Sequence, residues 1–508
     1  MYKLILLLNT LKFLKLKQIY FRVFYIVRAK FRKSVGFRYN MVKDSKSMRL
    51  NLDHSIEYYS KFTHNEFKIL NLSIKFNDNI DWNYSKFGKL WTYNLNYFEY
   101  LNDKNNIWLI YDFIDNISLI KDGLEPFPIS LRGLNWIKFI SKFDIRDKKI
   151  DDSLYAQYYI LADNLEYHLC GNHLLENGFS LLFGAYYFQD EALYYIATNI
   201  IKHELNEQIL ADGAHFELSP MYHQLMLFRL LDCINLVKNN DWKTDQLYEF
   251  LVGKASLMIA WLKNISYSNG DIPLFNDSSN KIAPRTSKLM DYALRLDILK
   301  ADLSLKESGY RKISRNRYEC IVDIGDVKAT YIPGHTHADT FGFELRIDGA
   351  SFIVDCGIGT YTFGALRSFQ RSTKAHNTVE INGANSSEVW GGFRVANRAR
   401  VFGIKENENY IQATHDGYRK FGVLHTRIWK FEDDKIIISD NLNKKSKAVF
   451  RLYFHPDITE EVIRARLNAS CENIEFYMYE YMEEFNTSKQ ALMTEIKFEQ
   501  NIEINIKI

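Results

Sequence analysis

The sequence predicts an α+β protein with a helical N-terminal half and an antiparallel β-sandwich behind it. Three observations carry this. Between residue 153 and about residue 299 apolar side chains recur with a helical period in six segments. After Arg311 the pattern changes to short alternating runs, broken by Asp348-Gly349, Asn382-Gly383 and Asp416-Gly417, the turn pairs that join antiparallel strands. Ahead of both lies a stretch, residues 1–40, with ten Lys/Arg and no Asp or Glu.

That arm, residues 1–45, opens with Lys3 before Leu4-Ile5-Leu6-Leu7-Leu8. The apolar run is too short for a signal peptide, no small-residue cleavage site follows, and Lys12, Lys15 and Lys17 interrupt what comes next. No stretch of the chain reaches about 18 uncharged apolar residues, so no transmembrane helix is recognised either. The expected location is therefore cytoplasmic, or peripheral at the inner membrane face. Residues 11–33 read as a basic amphipathic helix. It packs on the next domain through its Phe, Leu and Val side with the basic side solvated, or it docks on a membrane surface or partner. Packing is the expectation, with weak peripheral membrane contact through residues 1–40 as a secondary effect.

Residues 46–305 form the helical domain. The polar stretch 45–85 reads as a linker with an early helix, and Pro126-Phe127-Pro128 as a loop running into a helix. There Arg132 either meets a sugar carboxylate in bidentate fashion or braces the loop. The helices follow at 153–169, 173–188, 191–209, 221–238, 246–264 and 286–299, punctuated by Asn177-Gly178, Asp212-Gly213 and Asn269-Gly270. Consecutive helix pairs of this kind build a bundle, a solenoid or an (α/α) toroid, and periodicity does not choose among them. Residues 306–508 form the sandwich.

Composition narrows the function. Aromatic residues make up 15% of the chain, which suits both a helical core and a carbohydrate-binding groove. The five cysteines are scattered and imply no disulfide framework. Setting aside residues 1–40 leaves 55 basic against 62 acidic residues, a net charge of −7. Bulk charge therefore draws in no polyanion, no nucleic-acid partner is expected, and any attraction for an acidic substrate must be local to a cleft.

Candidate chemistry gathers at two places. In Pro333-Gly334-His335-Thr336-His337-Ala338-Asp339, an extended backbone would put His335, His337 and Asp339 on one side. Asp355 and His376, beside neighbouring strands, could close a cluster suited to zinc or a similar divalent ion. Cys356 is an alternative thiolate ligand, and a polar strand end with histidines bonded to backbone is the plain structural alternative. A cupin-type His-x-His…Glu site is set aside, because six residues separate His337 from Glu344. In the helical half, Gly171-Asn172-His173-Leu174-Leu175-Glu176 and Glu217-Leu218-Ser219-Pro220-Met221-Tyr222 mark two loop-to-helix junctions. Read alone, Asn172 is an N-cap and Tyr222 a half-buried core residue.

Over roughly residues 80–430 these motifs, with Lys89-Leu90-Trp91-Thr92-Tyr93 and Ala375-His376-Asn377-Thr378-Val379, resemble the heparinase II/III-like polysaccharide lyases, a group that includes alginate and oligoalginate lyases. The resemblance implies an N-terminal incomplete (α/α) toroid followed by the β-sandwich, and β-elimination on a uronic-acid-containing glycan. It implies that Asn172 neutralises the sugar carboxylate, that Tyr222 is base or acid with His173 as its partner, and that Glu176 lines the cleft. It makes His337, Asp355 and His376 the ligands of one mainly structural divalent metal ion, zinc by ligand type, and points His335 at the substrate. With no export signal the chain looks more like relatives that accompany capsule or exopolysaccharide production. Tyr361 is a second candidate cleft tyrosine, Arg367 and Arg371 are candidates for holding substrate anions, and Asn276-Asp277 reads as a structural loop. Two other functions stay open, a noncatalytic glycan-binding or assembly protein and a metal-dependent glycan hydrolase.

Overall fold

Two helices make the arm, α1 (Tyr2–Leu11) and α2 (Leu16–Ser34). The structure, a computed structural model, describes residues 2–39, 46–77, 79–243, 246–470 and 474–508. The arm packs on the helical domain, but with the opposite face to the one expected. Gln18 donates to the Leu169 carbonyl at 2.9 Å, Arg22 to that of His168 at 3.2 Å, and Arg28 to that of Asp163 at 2.7 Å. Phe21 stacks on Tyr167 with 4.7 Å between ring centroids. Leu16, Ile19, Tyr20, Val23 and Val27 meanwhile face solvent. The reason lies in the surface being covered. It is the C-terminal end of a helix and the loop after it, rich in carbonyls without helical partners, and such a surface binds donors better than methyl groups.

Residues 61–75 hold no helix, which corrects the expected linker. They form an antiparallel sheet of β1 (Lys61–Thr63), β2 (Glu66–Ile69) and β3 (Leu72–Lys75). Alternation puts Phe67 and Ile69 on its buried side, where Phe67 meets Tyr100 at 5.0 Å and the Trp91 indole donates to the Ile69 carbonyl.

The helical half continues as α3 (Lys89–Tyr97), α4 (Trp108–Asp115), α5 (Pro126–Lys142), α6 (Lys148–Asp163), α7 (Gly171–Phe188), α8 (Glu191–Gln208), α9 (Pro220–Lys238), α10 (Leu247–Ile265) and α11 (Thr286–Arg295). The starts are set by caps: Asp147 accepts from the Ile150 amide at 3.0 Å, Asp190 from Leu193 at 3.0 Å and Ser219 from Tyr222 at 3.2 Å. Every residue of α7 except His173 is buried, and α7 packs on α5, α6, α8 and α9. This is the expected incomplete (α/α) toroid. Helix α6 ends six residues short of the expected position, because residues 164–170 form a loop that carries Glu166.

Between Arg295 and Tyr310 the chain passes into the β half. Strands β4 (Tyr310–Ser314), β5 (Tyr318–Asp323), β6 (Phe343–Ile347) and β7 (Ala350–Ile353) form one sheet in sequential order, with Asp348-Gly349 as the expected hairpin turn at positive φ. A second sheet pairs Val379–Ile381, Ala448–Tyr453, Lys489–Phe498 and Ile474–Tyr481, and a six-stranded sheet runs from Val401–Asn407 to Leu467–Ala469. Leu345, Trp429, Ile438, Phe450 and Ile496 from all three share one core, so the layers form a sandwich. Residues 333–341 are turns and not a strand, so the expected period of two does not operate there.

The halves are tied by side chains. Glu344 on β6 accepts from the Tyr267 hydroxyl and the Leu274 amide, both at 2.9 Å, and Tyr310 donates to the Leu218 carbonyl at 2.6 Å.

Candidate active site

Ser219 caps α9 and Pro220 opens it, so Tyr222 leaves the first helical turn at the junction between the halves. Tyr361 donates to the Tyr222 hydroxyl oxygen at 3.2 Å. The His335 imidazole stacks on the Tyr222 ring with centroids 3.8 Å apart and planes 28° apart. The turns at 333–339 achieve what the expected strand would have, because His335 and His337 reach one carboxylate. His335 bonds Asp277 through Nδ1 at 2.8 Å and His337 through Nε2 at 2.7 Å, while Arg367 clamps both carboxylate oxygens of Asp277.

Asp277 is fully buried. Burial opposes its charge, but the Arg367 guanidinium and the two imidazole hydrogen bonds together hold it well below the usual carboxylate range. An ionised Asp277 must accept from both rings. His335 then carries its proton on Nδ1 and offers the Nε2 lone pair, and His337 offers Nδ1. Arg367 is spent on this carboxylate and does not face a substrate anion.

The second junction supplies donors. Cys170 adopts φ 60° and ψ −155°, a conformation almost confined to glycine, and turns the start of α7 toward the β half. Asn172 Nδ2 donates to Glu217 Oε2 at 3.4 Å, and Glu217 Oε2 lies 4.0 Å from His335 Nε2. Burial, reinforced by the charge on Asp277, pushes the Glu217 carboxyl up to about 8, so it is protonated at neutral pH. Burial likewise raises the Tyr222 phenol above its ordinary value, against the opposing hydrogen bond from Tyr361. Donor neighbours therefore do not lower it in the free protein, and Tyr222 rests as a neutral phenol.

Tyr222, Tyr361, Asn172, Glu176, Arg229 and Phe127 line a cleft of about 310 Å³. Glu176 bonds Arg229 at 3.3 Å and is pushed up to about 7, mainly by burial, against the pull of that guanidinium. Exposed Lys68 and half-buried Lys61 stand at the same cleft, the local positive charge that a net-negative body needs for an acidic ligand, while Lys281 there is paired with Glu484 at 2.7 Å. A larger cavity of about 600 Å³ lies beside residues 49–58, but its ion pair, Lys138 with Asp232 at 2.8 Å, is self-satisfied and it holds none of these groups.

Three expectations are corrected. His173 pairs with Glu166 at 3.0 Å and packs on Phe127, so the partner of Tyr222 is Tyr361 and not His173. Arg132 is fully buried, its guanidinium bonded to Gln157 and to the carbonyls of Asn96 and Gly123, and it braces the fold. Arg371 is equally spent on the carbonyls of Thr336 and Gly391. Buried among these acceptors, neither guanidinium is exposed to a sugar, although Arg132 Nη2 has no hydrogen-bond partner of its own. Asp277, expected in a structural loop, instead orients both imidazoles, and Glu217 and Glu166 pair with Asn172 and His173 in roles their motifs did not mark.

Around the expected metal ligands the side chains are buried and incompletely paired. His376 Nδ1 bonds Asp355 at 2.6 Å, and its ring lies 5.2 Å from that of His337. His337 Nδ1, His376 Nε2 and Asp339 Oδ2 are buried without hydrogen-bond partners. An unsatisfied buried polar atom costs about 1–3 kcal/mol, so three together fit a cation between them. As the side chains stand, Asp355 orients His376, and the only group of three or more His/Cys/Asp/Glu among the described residues with ligand atoms all within 4.8 Å of one another is His203, Glu204 and Glu207. There Lys15 already pairs with Glu207. All four described cysteines are buried and free of disulfides, Cys356 donating to its neighbour's backbone carbonyl, and Cys471 lies outside the described residues.

Known proteins resemble this chain in sequence and in fold. Residues 141–296 match the family model described as heparinase II/III N-terminus, and residues 297–497 the one described as heparinase II/III-like, C-terminal. A heparin-sulfate lyase of Pedobacter heparinus is 27% identical over 260 residues, 45% of this chain and 39% of that protein. One of Bacteroides stercoris is 24% identical over 321 residues, 57% of this chain and 46% of that protein. The chain thus matches less than half the length of these curated relatives. Among solved structures, one titled heparinase III superposes with a TM-score of 0.63 at 14% identity, covering 86% of this chain and 80% of its own. A heparan sulfate lyase mutant of Pedobacter heparinus gives 0.57 at 17% identity, covering 87% and 81%. At such identities these structures speak to the fold alone.

Proposed function

The chain belongs to the heparinase II/III-like family, and from that premise we propose that it cleaves an acidic, uronic-acid-containing polysaccharide by β-elimination in the cleft between toroid and sandwich. The relatives named heparin-sulfate lyases support a glycan of this class, and the lysines at the cleft suit its charge. The observation that carries the reading is the His335 ring, bonded through Nδ1 to Asp277 and stacked on Tyr222, with Asn172 and Glu217 beside it.

The roles follow from protonation states. The Asn172 amide and the protonated Glu217 carboxyl donate to the sugar carboxylate, so negative charge can build at C5. His335 Nε2 takes the C5 proton. The C5–H electrons form the C4=C5 double bond, the C4–O bond breaks, and Tyr222 gives its proton to the leaving oxygen. Tyr361 aligns the phenol. A divalent ion would be held by His337 Nδ1, His376 Nε2 and the carboxylate of Asp355 or Asp339, where its charge would fix the turn that carries His335.

Tyr222→Phe tests this. It should retain fold and glycan binding while turnover falls by a factor on the order of a hundred or more, the scale of a lost proton-transfer group. Normal turnover of a bound acidic glycan by Tyr222→Phe would remove the assignment.

A further inference from the structure

The arm presents an apolar surface that the rest of the chain does not cover. Among the described residues 32 large apolar side chains are exposed, and 15 of them fall within residues 4–37. At roughly 100° per residue, Leu16, Ile19, Tyr20, Val23 and Val27 occupy the side of α2 opposite Gln18, Arg22, Tyr25 and Arg28, which bond the body. Leu4, Ile5, Leu8 and Leu11 extend the same exposure along α1. The arm is fixed in place at both ends. Trp390 donates to Thr10 at 3.0 Å, Arg398 lies 3.7 Å over the Phe13 ring, and Arg28 and Arg32 pair with Asp163.

We propose that this face docks the protein in the plane of a bilayer surface that contains anionic lipid. Charge decides between occupants. Residues 1–40 contain no acidic side chain, and Lys3, Lys30, Lys33 and Arg38 are exposed around the apolar stripe. A second copy seated face to face would bring two wholly basic surfaces together, whereas anionic headgroups complement them. Exposed aliphatic and aromatic residues flanked by lysines suit the headgroup–acyl boundary. No helix among the described residues is long and apolar enough to cross a membrane, so the arm lies on the surface. The stripe is solvent-facing in the folded chain, so docking requires no unfolding.

The test uses the full chain with vesicles of phosphatidylcholine alone and of phosphatidylcholine with phosphatidylglycerol, followed by sedimentation across a salt series. The wild type should sediment with the phosphatidylglycerol vesicles and release at high salt, where screening shortens to about 3 Å at 1 M. The double variant Val23→Glu/Val27→Glu should bind at least about tenfold more weakly, with unchanged melting temperature and unchanged glycan turnover, because both residues are exposed. The proposal is overturned if the wild type does not sediment, or if the variant sediments equally well. It is also overturned if the variant instead abolishes a concentration-dependent dimer on gel filtration, which would assign the face to a second copy.

Discussion

Glu217 shows how one residue's environment sets its chemistry. An ionised carboxylate beside Asn172 would repel a uronate, but burial and the nearby Asp277 charge push it up to about 8. Its proton, and with it the donor function, is present below that pH and lost above it. The wild type should therefore lose kcat/KM as pH rises through about 8. Glu217→Gln, a permanent neutral donor, should stay active within a few fold and lose that alkaline limb in a pH–rate profile. An unchanged inflection in the variant would mean that Glu217 does not titrate at the site. Stability has the same sign: a folded value above the ordinary 4.5 means stability present at low pH that is lost between 4.5 and about 8. Arg132 and Arg371 teach the converse at this scale, since their residue type suggested a ligand role and their burial among backbone carbonyls excludes it.

Among the elements, turns matter more than helices or strands. The segments 333–339 and 273–278 are laced together, with the Asp277 amide donating to the His335 carbonyl at 3.1 Å and the His337 amide to Asn276 Oδ1 at 2.9 Å. The turn at 355–357 adds Asp355, whose Oδ1 accepts from the Gly357 amide at 3.2 Å. These turns enclose the unpaired nitrogens of His337 and His376. Purified protein should contain about one zinc-like ion per chain by elemental analysis, and Asp355→Ala or His376→Ala should lose it together with several degrees of melting temperature. Stoichiometric metal in both variants would remove these residues from the ligand set. Much of this was legible in the sequence: the helical period located α7 to α10 within a few residues, and Asp348-Gly349 marked its hairpin. The pairing of Asp277 with the histidines was not, because it lies 58 residues before His335 and only the packed halves bring them together. The strands at 61–75 were missed because they are short and their buried side, Phe62, Phe67 and Ile69, shows too few alternations to stand out.

At the scale of the whole molecule, the toroid and the sandwich both contribute side chains to the candidate site. Asn172, Glu217 and Tyr222 come from loop-to-helix junctions of the first, and His335 and Tyr361 from turns of the second. Amphipathic period likewise revealed the arm's two faces but not which one meets the body, because that depends on the carbonyl-rich surface after α6. The measurement that tests the account most directly is the near-ultraviolet absorbance of products from a panel of uronate polymers, capsules and exopolysaccharides. At least one should yield a C4–C5-unsaturated uronate at the new non-reducing end, with no oxygen incorporated from labelled water. A saturated product carrying water oxygen would contradict β-elimination and assign the cleft to hydrolysis.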